Sequence, residues 1–442
     1  TGTAARLAPY TSSMTDGRAP APARDLPELT RVFGRIGLLS FGGPAAQIAL
    51  MHKELVEERP WLSEADFLRA LSFCMLLPGP EAMQLATYAG WKRAGAAGGL
   101  IAGLLFVIPG ALVIFALAGL YAAYGGVPLV QALFLGIKAA VIVIVVQALV
   151  KVSKRALTGA LAYGIAGVAF VGIYALQLPF PLIVLGAGVI GALLMAKAAP
   201  EAVVAPVSGR ATVRIVAIWG AIWLLPLAGL WLVAPGGLLA EVGLFFAKLA
   251  VVTFGGAYAV LAYMVQEVVG DYGWLTTAQM MDALGLAETT PGPLILVTQF
   301  VGFVAGAQAG GWALGLAAAL VTLWVTFAPC FLWIFAGAPY VDWIASRPRL
   351  TGALQAITAA VVGVILNLSI WFAAHVLFGA VESLSLGPLA VLVPVWTSLD
   401  GMALGLAGLA AALIWGLRWD LMRVLPAMAL AGLGATAALG GI

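Results

Sequence analysis

Apolar stretches follow one another along this chain almost without interruption, which leaves few folds open to it. They lie near 27–50, 66–90, 98–124, 129–150, 157–176, 181–197, 212–233, 238–265, 280–306, 312–337, 350–379, 400–417 and 422–440. About 20 apolar residues in a helix cross a hydrocarbon core. Of the 442 residues, 63% are hydrophobic and only 9% charged, where soluble domains carry about 25%. A soluble enzyme, a disordered chain and a secreted disulfide scaffold are excluded. The expected fold is an all-α polytopic membrane protein, with about ten to thirteen transmembrane or re-entrant helices in two inverted-topology repeats.

The repeat is read from an ungapped register. Ser40-Phe41-Gly42-Gly43 recurs as Thr253-Phe254-Gly255-Gly256, 253 − 40 = 213 residues on. The same offset carries Arg35 to Lys248, Glu54 to Glu267, Trp61-Leu62 to Trp274-Leu275, and Pro78-Gly79-Pro80 to Pro291-Gly292-Pro293. Farther on the offset drifts to 220, pairing Ala139-Ala140-Val141 with Ala359-Ala360-Val361. The chain divides into a tail (1–26), a first repeat (27–197), a linker holding an unpaired helix (198–237) and a second repeat (238–442). The tail is too polar to offset its own chain entropy and reads as disordered; no signal peptide is evident.

Loop charges give the orientation. Lys92-Arg93 and Lys151/Lys154/Arg155 mark cytoplasmic loops, whereas their counterparts near 307–311 and 380–399 hold no Lys or Arg. The loops near 125–128 and 177–181 also lack them, and their counterparts hold Arg347/Arg349 and Arg418/Arg423. A bias that inverts from loop to loop is what inverted repeats require. With Arg6, Arg18, Arg24 and Arg31 the N-terminus is expected in the cytoplasm and the C-terminus outside. Lys53 and Arg59 are ambiguous, because Glu54, Glu57 and Glu58 surround them.

Interrupted helices in two inverted halves are the pattern of a secondary transporter with its substrate site near the midplane. The Gly-Gly breaks, the Pro-Gly-Pro motifs, Gln84 and Thr290 are candidate linings; the alternative for the glycines is close helix packing. Arg35 and Lys248 each stand five residues before a break, and a cation at membrane depth needs a compensating partner. Together with the hydroxyls of Ser40 and Thr253 and free backbone N–H groups, they suggest an anion site; snorkelling to the interface is the alternative. Glu81 and Glu288 are candidate proton carriers, or partners of Arg35 and Lys248, or helix caps. Glu54 and Glu267 are candidate gating acids, and Lys138 a mid-span cation that lines the pathway or neutralises an acid. His52 and His375 are the only histidines, and Cys74 and Cys330 the only cysteines. No metal site, cofactor, disulfide framework or enzyme signature is expected. A net charge of +3 gives no reason to expect nucleic acid as a partner.

At these residues the sequence resembles the chromate ion transporter family in its long, two-domain form. The resemblance is carried by Phe33–Glu54, including Phe41–Pro44, by Trp61-Leu62, by Leu76–Gln84, by Gly90-Trp91 and Gly98–Gly110, and in the second half by Thr253–Gly256, Glu267, Trp274-Leu275 and Thr290–Pro293. It implies export of chromate across the bacterial inner membrane, driven by membrane potential, protons or both, and resistance to chromate. Arg35, Lys248 and the break hydroxyls would ligate the oxyanion, and a glutamate would couple transport to protons. Alternatives on the same scaffold are an importer or exchanger of sulfate or another oxyanion, or an anion channel. The bilayer is the expected surround and a homodimer one expected assembly. The sequence departs from the pattern at Ala257, which stands where the first half has Pro44.

Overall fold

The computed structural model describes residues 25–196, 209–254, 257–345, 347–387, 389–438 and 440. The tail arginines Arg6, Arg18 and Arg24, residues 198–208 of the linker, and Gly255-Gly256 lie outside them. The first half contains α1 (Leu26–Leu39), α2 (Gly43–His52) continued by a π-helical turn (Lys53–Glu58), α3 (Glu64–Cys74), α4 (Glu81–Tyr124), α5 (Pro128–Ala156), α6 (Ala160–Tyr174) and α7 (Phe180–Leu194). After α8 (Gly209–Val233) the series returns as α9 (Leu238–Val252), α10 (Ala257–Val265) with a π-helical turn (Gln266–Asp271), α11 (Thr277–Thr289), α12 (Val297–Gly337), a short α13 (Val341–Ala345), α14 (Pro348–Leu377), α15 (Gly401–Ala411) and α16 (Leu421–Ala438). These two π-helical turns, of three among the described residues, fall 213 residues apart, so a helix defect at this position obeys the repeat.

Helix starts follow from local chemistry. Asp25 accepts from the Glu28 N–H at 3.0 Å and Ser63 from the Asp66 N–H at 3.1 Å. Thr276 and Gln279 form a reciprocal capping box, and each satisfies N–H groups that a helix start leaves open.

The stretches around the glycine and proline motifs fold back on themselves. Gly42 and Gly43 adopt φ of +83° and +75°, a region glycine enters without steric cost, and there the chain reverses. Arg35 on α1 then meets Glu54 beyond α2 at 3.4 Å, and Phe33 lies 6.3 Å from Trp61. α3 and the first limb of α4 form a second hairpin, with Pro78-Gly79-Pro80 at its tip. A straight 44-residue helix would be about 66 Å long, but α4 is broken at Ala94–Gly95. Its limbs touch so closely that a Cβ at Gly90 would lie 2.3 Å from the Gly98 carbonyl oxygen. α12 breaks likewise at Gly310–Gly311, with Gly306 against Leu314 and Gly315.

Four of the thirteen apolar stretches (27–50, 66–90, 238–265 and 280–306) are therefore hairpins rather than crossings. Among the described residues, six helical segments are long and apolar enough to cross a membrane, and three more apolar helices are shorter. At the hairpin bases Arg93 lies over Trp61 at 5.1 Å and 3.7 Å from Glu28, and Lys92 lies 3.7 Å from Asp66. The 59–63 loop and the 92–95 bend thus share one end of the molecule.

The long limbs of α4 and α12 run antiparallel: Gly99 meets Phe335, Gly103 meets Phe331, and Gly119 meets Trp312. The first-half hairpins stand at the Gly99 end and the second-half hairpins at the Gly119 end. The outer helices are exchanged between halves. α14 packs on α6 and α7, with Gly363 against Ala166 and Gly191 against Gly352; α5 packs on α15 and α16, with Gly136 against Met428. Small residues permit this backbone approach, as in membrane helix packing generally. α8 runs along the outside, pinned by Trp223, whose indole N–H donates to the Val325 carbonyl at 3.1 Å. The 380–399 segment, expected as a loop, contains a two-stranded antiparallel hairpin, β1 (Val381–Leu386) and β2 (Leu389–Pro394). It is the one sheet among the described residues.

Candidate functional site

The four hairpin tips meet in the interior, and they meet reciprocally. The Gly79 N–H donates to the Thr253 carbonyl at 2.8 Å, and the Gly292 N–H donates to the Ser40 carbonyl at 2.7 Å. Each Pro-Gly-Pro tip thereby satisfies the helix break of the opposite half. The breaks free these carbonyls, and without a partner each would be a buried orphan at membrane depth. Gly79 and Gly292, at φ of +114° and +86°, present their N–H groups from a conformation that strains any other residue. Gln47 adds a bond from Nε2 to the Gly292 carbonyl at 2.7 Å, and Gln84 one to the Pro78 carbonyl at 2.7 Å. The Ser40 and Thr253 hydroxyls each donate to their own helix, to Ile36 and Leu249, both at 2.6 Å. Their protons are therefore engaged, and donors toward a ligand must come from elsewhere.

Glu288 is 7% exposed, and its Oε1 accepts from the Tyr258 hydroxyl at 3.0 Å. It opens into a cavity of about 290 Å³ shared with Gly42, Ile137, Thr289 and residues of α16. One half's break and the other half's carboxyl group thus face the same space. Thr290 turns its hydroxyl onto the Ala287 carbonyl at the end of α11. Gln84 and Gln299 are buried, and each has an amide oxygen with no partner among the described residues.

The candidate cations do not converge on the breaks. The Arg35 side chain is 55% exposed and pairs with Glu54, which is 2% exposed and is also held by Arg59. Lys248 is exposed and lies over the Tyr263 ring at 5.4 Å. Glu54 is thus clamped by two arginines, whereas no ion pair among the described residues reaches its counterpart Glu267. Glu267 lines a separate cavity of about 540 Å³ with Asp271, Asn367 and Trp371, under the β-hairpin. Lys138 lies 3.1 Å from Asp282, whose other oxygen accepts from the Tyr121 hydroxyl at 2.7 Å. Asp282, Tyr121, Tyr258 and Gln47 were not singled out by the sequence reading. Asp282 alone carried a signal, as an acid within the 280–306 stretch.

A family model described as chromate transporter matches residues 27–192 and 240–436. A chromate transport protein of Pseudomonas aeruginosa is 33% identical over 428 residues, 95% of each chain. A probable chromate transport protein of Synechococcus elongatus is 32% identical over 345 residues, 78% of this chain and 84% of that one. A chromate transport protein of Cupriavidus metallidurans is 31% identical over 346 residues, 78% of this chain and 82% of that one. No solved structure matches the chain. A match that spans both halves and their shared tips leads to one conclusion: the chain belongs to the chromate transporter family, multi-pass membrane transporters rather than enzymes.

Proposed function

We infer that the protein exports chromate, a tetrahedral oxyanion, from the cytoplasm across the inner membrane of a bacterium, and so confers resistance. The carrying observation is the cavity that joins Gly42 of one half to Glu288 of the other, beside the reciprocally bonded tips. There the oxyanion accepts from backbone N–H groups at the start of α2, where the helix dipole favours an anion. Unlike charges at 4 Å gain, and like charges lose, about 4 kcal/mol at an effective dielectric of 20. An ionised Glu288 would therefore repel the dianion, so it is protonated while the cavity is filled, and its O–H becomes a donor.

The direction rests on charge. Arg31, Lys53, Arg59, Lys92 and Arg93 surround the first-half hairpin bases; 213 residues on from the first three stand Leu244, Gln266 and Tyr272, and the counterparts of Lys92-Arg93 near 307–311 hold no Lys or Arg. Lys248 is retained there, beside Glu241, Glu267 and Asp271. With the basic end in the cytoplasm, the repeats 27–197 and 238–442 are inverted, the helix within 198–237 is the odd crossing, and the C-terminus is outside. Chromate is drawn to the cationic mouth and leaves through the anionic one. A negative-inside potential favours this by about 2.3 kcal/mol per net charge per 100 mV.

Inside-out membrane vesicles bearing the protein should accumulate chromate when energised and lose that uptake when the potential is collapsed. Uptake equal to that of vesicles without the protein would overturn the reading.

A further inference from the structure

Resting on that reading, we propose that Asp282 latches Lys138, and that an oxyanion crossing between two neighbouring cavities takes Lys138 over from it. Asp282 is 1% exposed, and Lys138 is 12% exposed at its side chain. They join α5 of the first half to α11 of the second. On one side of this contact lies a cavity of about 380 Å³, lined by Asp282, Tyr121, Gly125, Gln308 and Trp312. On the other side lies the cavity of Gly42 and Glu288, lined by Ile137, the neighbour of Lys138. Between them α5 and α11 touch so tightly that a Cβ at Gly285 would lie 2.9 Å from Ile137 Cγ2. Asp282 and Glu288 stand six residues apart on α11, about 9 Å along its axis. The ion pair therefore sits in the wall between the two spaces.

Two observations argue against a purely architectural role. A buried ion pair gains little over well-packed apolar residues of similar size, because both ions must be desolvated. And the repeat does not reproduce it. Thr358 stands for Lys138 and bonds its own helix at Leu354; Arg69 stands for Asp282 and pairs with Asp66 at a hairpin base. Among the described residues, the corresponding helices of the other half, α14 and α3, are thus joined by no such pair.

The charges facing Asp282 are few. Lys138 comes from α5 and the Tyr121 hydroxyl from α4, and α12 and α16 bring no acidic or basic group into this contact. When the oxyanion takes Lys138, Asp282 is left against the Tyr121 hydroxyl and takes up a proton, so that no unpaired carboxylate remains beside the dianion. On release the proton leaves and Asp282 reclaims Lys138. The one covalent bond made, and broken again on release, is the O–H of the Asp282 carboxyl group, whose proton is exchanged with solvent.

The test is equilibrium binding of chromate and of sulfate to the purified full chain, with transport in vesicles and thermal unfolding measured alongside. Asp282→Asn frees Lys138 from its competitor; binding should tighten at least about tenfold, the low end for close charge pairs, while turnover falls. The double variant Lys138→Met/Asp282→Asn should unfold at the wild-type temperature yet bind more weakly than wild type. A double variant with wild-type binding and transport overturns the proposal and leaves the pair a structural one. Wild-type protein that binds neither ion overturns the oxyanion reading, and this role with it; binding by wild type that both variants match overturns this role alone.

Discussion

Glu288 and the two tip glycines are the single residues on which the proposed site depends most. With Glu288 protonated in the filled cavity, oxyanion binding should weaken as pH rises, and Glu288→Gln should flatten that dependence; an equally steep profile in the variant would remove Glu288 as the proton carrier. Gly79→Ala forces a side chain into φ of +114° and sets its Cβ 2.9 Å from Gln84 Nε2 and 3.0 Å from Cys330 Sγ. Such strain costs about 1–3 kcal/mol and displaces the N–H from the Thr253 carbonyl. Gly79→Ala and Gly292→Ala should each lower transport more than tenfold, the factor that about 1.4 kcal/mol produces, with helix content by circular dichroism unchanged. The repeat pointed to these glycines because they recur in register. It concealed Asp282 because Arg69, its counterpart, is a different residue in a different setting. Arg35 and Lys248 were equally legible as a pair, yet spacing along a helix does not say which way a side chain turns, and both turn to the exposed flank of their hairpins.

At the scale of the element, the hairpins decide how the apolar stretches are used. The breaks were legible from Gly-Gly and Pro-Gly-Pro, but the reversal was not. A kinked crossing helix and a folded-back hairpin have the same composition, and contacts such as those of residue 35 with residue 54 and residue 33 with residue 61 distinguish them. The folded limb of α4 depends on glycine: Gly90→Val should cost about 1–3 kcal/mol or more by overpacking, read as a lower unfolding temperature in detergent. The hairpin bases carry a titratable link. His52 meets Glu57 through Nδ1 at 3.1 Å and Glu64 through Nε2 at 2.7 Å, so both nitrogens donate when the ring is protonated. The hydrogen bond to Glu64 is the chief reason its pKa lies above the ordinary value. A raised folded-state pKa gives stability that is complete below the unfolded value of about 6.5 and is lost as pH climbs through the folded value. Unfolding temperature should therefore decline as pH rises above about 6.5 in wild type, and His52→Leu should abolish that part of the decline.

For the whole molecule, the exchange of outer helices means that neither half buries its own long helix. Each half expressed alone should aggregate or be degraded, whereas the two expressed together from a chain split near residue 200 should co-purify. A stable, monodisperse first half would show that the shared packing is dispensable. Duplication was legible from the ungapped register over Ser40–Pro80 and Thr253–Pro293. The exchange was not, because packing between α14 and α7, or between α5 and α16, arises from shape at glycine contacts that leave no periodic trace. The reciprocal tip bonds bear on how such a body can move. Two point attachments fix the distance between the parts they join but leave rotation about the line through both points unopposed, as with a door hung on two pins. Gly79–Thr253 and Gly292–Ser40 are such pins. A turn of the tips about that line leaves both backbone bonds intact.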